Sequence, residues 1–264
     1  MRFLCMMVIY NTNYKDSETF KTLSTTQAFL HGEISLLVLD NSTKDMHNDE
    51  INTVEHCHYL SMHGNKGLSK AYNAGLNYYK DDLKHNCIVL LDDDTRLSSH
   101  YFDQMIKAYH EDTDIYLPII YDQNDSLLSP SIMNKYRCVL ASSLDEVNED
   151  NINGINTGMM IRGEIFEDYR YDEGYFLDYV DHAFIRDMKS KHKKIIYVNT
   201  VLHQSYSLEG DHYDSAMKRF EISKKDIYHY YDKGFVYKLV YCYIILRRKA
   251  KYFKQYKRVS VFFK

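Results

Sequence analysis

Between residues 3 and 120, short apolar runs rich in β-forming residues alternate with helix-length segments, and that rhythm limits the possible folds more than any other feature of the chain. Segments 3–10, 34–39, 86–91 and 115–120 read as strands. Segments 17–30, 66–80 and 99–109 read as helices, the first opened by Asp16 or Ser17 as its N-cap. In 66–80 the residues Leu68, Ala71, Tyr72 and Leu76 fall on one face, as a helix packed on a sheet requires. Strands joined through helices cross over right-handed, so the expected fold is a doubly wound, mostly parallel sheet flanked by helices. Beyond residue 120 the pattern loosens. Segment 122–130 reads as a loop, 144–153 as an acidic, polar excursion, and 152–162 as one strand carrying Gly154-Ile155-Asn156-Thr157-Gly158. A helix over 181–191 and a short strand over 194–199 complete the regular part.

In such a sheet the carboxyl ends of the strands form the ligand edge. The third strand, Cys87-Ile88-Val89-Leu90-Leu91, runs directly into Asp92-Asp93-Asp94, and the second ends at Asp40. Clustered carboxylates on that edge supply hard oxygen ligands for Mg²⁺ or Mn²⁺ and its phosphates, whereas an isolated acidic triplet reads equally well as a solvated turn.

Composition bounds the class. With 264 residues, 45% of them hydrophobic, the chain has ample material for a core. No run of about 18 apolar residues offers a membrane span. The N-terminal apolar stretch lacks a small-residue cleavage site and reads as a first strand. Five scattered cysteines without paired spacing point to reduced thiols and a cytoplasmic setting. His56-Cys57-His58 with His63 fits no closed zinc site and reads as a solvated loop. The net charge of −4 conceals a split. Ten of the 33 Lys and Arg lie in 233–264, which holds no acid, leaving 23 basic against 37 acidic residues, or −14, in 1–232. An acidic body of that kind is no nucleic-acid binder.

The order of motifs resembles the family 2 glycosyltransferases of GT-A fold, most closely their rhamnosyltransferase-like branch. The stretches that carry the resemblance are Val8-Ile9-Tyr10-Asn11, Val38-Leu39-Asp40-Asn41-Ser42, 65–75 from Asn65-Lys66-Gly67 to Asn73-Ala74-Gly75, Leu90–Thr95, Asn156-Thr157-Gly158, Phe176–Asp181 and Leu202-His203-Gln204-Ser205. The resemblance implies a GT-A (Rossmann-like) catalytic domain over 1–205, with a nucleotide-binding half to about residue 95 and an acceptor half to 205. A helical, basic extension over 206–264 follows.

Carried over residue by residue, the resemblance makes Asp92 and Asp94 the pair that holds a divalent cation, Mn²⁺ or Mg²⁺, against the donor diphosphate. His203 matches the position of an imidazole ligand, a mixed set that suits Mn²⁺ better. Asp40 stands where the nucleoside is recognised, although it also serves as a turn former with Asn41 and Ser42. Tyr10 and Asn11 flank the base, Asp93 faces ribose or solvent, and Asn65 and Gly67 allow close backbone approach to a ligand. For Asn73 and Gly75, helix packing competes equally with a ligand role. Direct displacement at the anomeric carbon needs a base for the acceptor hydroxyl. Many members place Glu-Asp at this point, whereas this chain has Asp178-Tyr179-Val180-Asp181, so the base lies between Asp178 and Asp181 with Asp178 favoured. The arginine expected later in that helix is displaced to Arg186.

The implied activity is inverting, metal-dependent transfer from a nucleotide-sugar, dTDP-rhamnose or a UDP-hexose, to a glycan or lipid-linked glycan acceptor in cell-surface polysaccharide synthesis. Two rivals are a sugar-1-phosphate nucleotidyltransferase and an inactive glycan-binding module. The first normally carries a glycine-rich basic signature where this chain has Asn11-Thr12-Asn13-Tyr14-Lys15. The tyrosine-rich, basic segment 233–264 is too short in its apolar part to span a bilayer. It is expected either to lie peripherally on an anionic membrane surface at the inner face of the plasma membrane or to pack on the body.

Overall fold

A computed structural model describes residues 1–204 and 212–264. Its strands are β1 (Phe3–Ile9), β2 (Ile34–Asp40), β3 (Cys57–Ser61), β4 (Cys87–Asp92), β5 (Thr95–Arg96), β6 (Ile115–Tyr121), β7 (Leu127–Ser129), β8 (Ser131–Met133), β9 (Cys138–Val139), β10 (Ile152–Asn153), β11 (Met160–Arg162) and β12 (Ile195–Gln204). Helices α1 (Glu18–Leu23), α2 (Gln27–Leu30), α3 (Leu68–Tyr78), α4 (Tyr101–Ala108), α5 (Val180–Ser190), α6 (Tyr213–Tyr231) and α7 (Phe235–Tyr256) surround them.

The main sheet runs β3-β2-β1-β4-β11-β6-β12-β5, with β7 on β6, and β10-β8-β9 form a separate small sheet. β3, β2, β1 and β4 are parallel, β11 is inserted antiparallel between β4 and β6, and β6 and β12 are parallel again. The period-2 pleat sends alternate residues of each strand to opposite faces. Leu4 and Met6 join Leu37, Leu39, Ile88 and Leu90 under α3, α5 and α6. Phe3, Cys5, Met7 and Ile9 join Leu36, Val38, Val89 and Leu91 under α1 and α4. This is the expected fold: a mostly parallel GT-A-type sheet covered on both faces, with helices at the C-terminus.

Four local departures have identifiable causes. The single helix expected over 17–30 is two, because Ser24, Thr25 and Thr26 turn their hydroxyls back onto the carbonyls of Lys21, Thr22 and Leu23. Such back-bonding competes with the helix, and Thr26 then caps α2 through the Phe29 amide. Cys57–Ser61 is not a loop but the parallel edge strand beside β2. The strand expected over 152–162 is broken by the Gly154–Gly158 stretch. At Gly158, with φ of +67°, a Cβ would lie 2.5 Å from Leu202 Cδ1. β12 continues past Asn199 through a bulge between Val198 and Val201, and so carries 203 and 204 to the ligand edge. Ser205 and the expected boundary at 205/206 lie outside the described residues.

The C-terminal helices pack on the body. Ala216, Met217, Phe220, Ile227 and Tyr231 of α6 and Ile245 and Tyr252 of α7 belong to the same apolar cluster as α3 and α5. Among the described residues no helix is long and apolar enough to cross a membrane.

Candidate active site

The parallel register builds the site's floor. β1 lies between β2 and β4, with Ile9 opposite Asp40 and Val8 opposite Asp92, so both acids reach the same carboxyl edge. The backbone of the aspartate triplet is pinned by α1. Ser17 Oγ donates to the Asp93 carbonyl at 2.7 Å, and Thr19 Oγ1 donates to the Asp92 and Thr95 carbonyls at 2.5 and 3.0 Å. Thr19 Oγ1 also accepts from the Thr95 amide at 2.9 Å. Ser17 is also the N-cap expected of the first helix, accepting from the Phe20 amide, whereas nothing in the sequence singles out Thr19.

The three carboxylates are held close and poorly solvated. Burial raises Asp92, and the nearby charge of Asp181 adds to that, while hydrogen bonds from Thr157 Oγ1 and from Gln204 Nε2 at 3.1 Å oppose it. Burial and then Asp92 push Asp93 up to about 6; its carboxylate faces Tyr10 and Thr12. Burial, Asp92 and Asp93 push Asp94 up to about 7, with Gln204 Nε2 at 3.4 Å. Among the described residues none of the three forms an ion pair with a basic side chain. A divalent cation is the group this donor set fits, because it would neutralise repulsion that the protein leaves standing. Asp92 and Asp94 are the residues able to hold it. No group of three His, Cys, Asp or Glu assembles as a ready-made metal site among the described residues.

His203 is not brought to the aspartates. In an extended strand neighbouring side chains point to opposite faces. Gln204, paired with Thr95, takes the inward position, and His203, paired with Arg96, is exposed beside the Tyr121 ring at 6.4 Å. The side chain that meets the aspartates at this corner is the amide of Gln204, one residue after the imidazole expected as a ligand.

Asp178, the favoured base, sits among cations. Its carboxylate is partly buried and clamped by the Arg219 guanidinium, with Nη2–Oδ1 at 2.5 Å and Nη1–Oδ2 at 3.2 Å, and Arg248 Nη1 lies 3.7 Å away. Burial works to raise its pKa, but Arg219, Ser223 and Arg248 outweigh it and hold the group below its usual range. A carboxylate so satisfied is a poor proton acceptor. Asp226 of α6 fixes the rest of this loop by accepting from the amides of Phe176, Leu177 and Asp178 at 2.8–2.9 Å. Tyr179 then turns the chain through φ of +64° into α5. Asp181, in the first turn of α5, accepts from the His182 amide at 2.7 Å and lies close enough to Asp92 to raise it. Although burial opposes its charge, the partly buried His182 ring, 3.6 Å from the Asp181 carboxylate, is lifted to about 9 by Asp181, Cys138 and Asp178.

The remaining expected ligand groups are largely occupied by the protein. Asp40 accepts from the Ser42 amide at 2.8 Å, Asn48 Nδ2 at 3.0 Å and Tyr59 Oη at 3.3 Å, which makes it the clasp of the loop after β2. Asn11, at φ of +52°, bridges to that loop through Ser42 and Thr43, and Tyr10 is exposed beside it. Asn65 caps the Gly67 amide at 3.1 Å. Close approach at Gly67 is to protein rather than ligand: at φ of +88° a Cβ would sit 2.6 Å from the Phe176 carbonyl oxygen, which accepts from the Leu68 amide. Asn73 bonds the Tyr171 backbone in both directions, and Gly75 lies against Met6, so both serve packing.

The family model described as "Glycosyl transferase family 2" matches residues 7–170. Among curated proteins, the chain is 26% identical over 152 residues to dTDP-rhamnosyl transferase RfbF of Shigella flexneri, covering 55% of this chain and 51% of the relative. It is 24% identical over 197 residues to the low-salt glycan biosynthesis hexosyltransferase Agl10 of Haloferax volcanii, covering 65% and 58%. The chain therefore spans about half the length of the curated relatives it matches. Among solved structures, S. aureus TarS 1–349 in complex with UDP superposes with a TM-score of 0.54 at 14% identity, over 86% of this chain and 64% of that one. GalNAc-T7 with UDP, GalNAc and Mn²⁺ gives 0.60 at 13% identity, over 90% and 49%. At these identities the structures speak for the fold.

Proposed function

The chain belongs to glycosyl transferase family 2, and on that premise we propose that it is an inverting, metal-dependent glycosyltransferase. The observation that carries the reading is the unpaired, acid-raised Asp92–Asp94 corner at the carboxyl edge, with Asp181 on a separate element beside it. The donor is a nucleotide-sugar, dTDP-rhamnose or a UDP-hexose, in keeping with the rhamnosyl and hexosyl relatives. The acceptor is a glycan or lipid-linked glycan of a cell-surface polysaccharide.

Asp92 and Asp94 would hold Mn²⁺ or Mg²⁺, which when bound supplies Lewis-acid stabilisation for the departing diphosphate. Thr157 and Gln204 orient Asp92, and Gln204 also holds Asp94. Asp93, Tyr10 and Asn11 border the nucleotide side, over a loop that Asp40 keeps closed. Asp181 takes the proton from the acceptor hydroxyl as the new bond forms on the face opposite the leaving group. Asp178 positions Asp181 by locking the 176–179 turn. Asp181→Asn is expected to lower kcat by about 10²–10⁴ with donor binding retained. NMR of the product should give the anomeric configuration opposite to the donor's. Retained configuration, or an Asp181→Asn variant of full activity, refutes the assignment.

The extension supports an anionic membrane surface as a partner. On α7 the side chains of Phe235, Leu239, Tyr243, Leu246 and Phe253 are exposed at helical spacing, opposite buried Ile245 and Tyr252. Lys238, Arg247, Lys251 and Lys254 flank them in a segment without acids. An apolar stripe bordered by cations matches a negatively charged interface. Flotation with phosphatidylglycerol vesicles should carry the protein up, and Phe235→Ser/Leu239→Ser/Leu246→Ser should abolish it. Unchanged flotation of that variant removes this part of the reading.

A further inference from the structure

Away from the aspartate edge, a cavity of about 310 Å³ opens between α5, the 134–137 turn and the corner joining α6 to α7. Four cations line it, Lys135, Arg186, Lys189 and Lys233, against the single carboxylate of Asp150. This stands out in a chain whose first 232 residues balance at −14.

Two of these cations, Arg186 and Lys233, gather over one aromatic ring. Arg186 and Lys189 stand three residues apart and so share one face of α5. The Arg186 guanidinium lies 4.5 Å above the Tyr230 ring, and the Lys233 ammonium lies 5.8 Å from the same ring. Two cations over one ring repel each other. Arg186 Nε reaches Asp187 at 3.5 Å, but its Nη1 is buried with no hydrogen-bond partner. Lys189 donates to the Asp150 backbone carbonyl at 2.7 Å. Among the described residues Lys135, Lys189 and Lys233 form no ion pair. Burial lowers Lys189, and burial followed by Arg186 lowers Lys233; the charges of Asp150 on the first and of Asp187 and Asp172 on the second offset this only in part.

We infer that this cavity is a second binding site, distinct from the aspartate edge, for a phosphoryl group: a phosphate ester or diphosphate carried by a ligand. Its chemistry suits that group. A guanidinium fork with a free nitrogen offers directional bonds to phosphate oxygens, and the ammonium groups add charge around it. A carboxylate would satisfy fewer of these donors. Helix α5 sets the spacing to the candidate active site. Arg186 and Lys189 lie five and eight residues beyond Asp181, about 7.5 and 12 Å along the axis. Binding itself does not depend on the transferase reading; use of the site to anchor an acceptor does.

The test uses the full chain in EDTA, so that the aspartate edge carries no cation and repels anions. Inorganic pyrophosphate is titrated calorimetrically into wild type and into Lys135→Ala/Lys233→Ala, two exposed positions whose loss leaves the core untouched. Wild type is expected to bind, and the double variant to bind at least about tenfold more weakly, as loss of charge-assisted contacts predicts. Arg186→Lys should also weaken binding, because an ammonium cannot reproduce the fork. UDP titrated with Mn²⁺ should bind all three proteins equally, which separates this site from the donor site. Pyrophosphate is then competed with phosphatidylglycerol vesicles. Displacement assigns the phosphoryl group to a lipid headgroup, and no displacement assigns it to a soluble phosphate; both support the site. Failure of wild type to bind pyrophosphate, or equal affinity in wild type and the double variant, overturns it.

Discussion

Replacing Asp94 by asparagine should make the metal-free protein more stable while weakening the metal binding proposed for this corner, and the gain should depend on pH. Burial and the charges of Asp92 and Asp93 raise Asp94 to about 7 in the folded chain. In the unfolded chain it titrates near the ordinary aspartate value of about 3.9. Between these values the folded state holds the extra proton, so stability falls as pH rises and levels off above pH 7. From pH 5 to pH 8 the folded protein loses stability over about two pKa units at 1.36 kcal/mol each, or about 3 kcal/mol. Partial solvent contact of this side chain reduces that to about 2 kcal/mol. Asparagine has no proton to lose and still accepts from Gln204. Urea unfolding in EDTA should therefore show Asp94→Asn gaining about 2 kcal/mol on wild type between pH 5 and pH 8. Asp93, raised to about 6, contributes a smaller slope below pH 6 to both proteins and cancels in the difference. Mn²⁺ at pH 8 should then stabilise wild type and leave Asp94→Asn unmoved. Parallel pH profiles for the two proteins would refute the electrostatic reasoning at this corner.

Other positions give sharper structural outcomes. Asp226→Asn removes the charge that accepts three loop amides, and should cost about 2–4 kcal/mol in denaturant unfolding, with proteolysis in the 176–179 turn accelerated. Gly67→Ala places a methyl at 2.6 Å from the Phe176 carbonyl at positive φ, and should lower stability by about 2 kcal/mol or more by the same measurement. Gln204→Leu should weaken Mn²⁺ binding by isothermal titration whereas His203→Ala should not, and the reverse order would restore the imidazole ligand.

Much of the fold was legible because its signals are local. The apolar runs that became β1, β2, β4 and β6 carry their own period, and their shared parallel direction follows from the helices between them. The same pattern located the edge where Asp40 and Asp92 meet. Edge strand β3 escaped because Cys57–Ser61 is short and flanked by histidines and polar residues, and its partner β2 supplies the pairing that its own residues do not announce. The split of the first helix was readable in principle from Ser24-Thr25-Thr26, a run of side chains that bond backbone carbonyls.

By itself, then, the sequence determined strands β1, β2, β4 and β6, the ligand edge they share and the acid triplet at one strand end, since each depends on neighbours a few residues away. Tertiary structure alone decided which polar groups remain available there. Asp178 is neutralised by Arg219, 41 residues further on, while Asp181 pairs with its neighbour His182 at 3.6 Å. Gln204 rather than His203 turns to the aspartates because a bulge and the pairing with β5 set the phase of β12. Charge pairing and strand phase both rest on contacts distant in sequence, and those exist once the chain has folded.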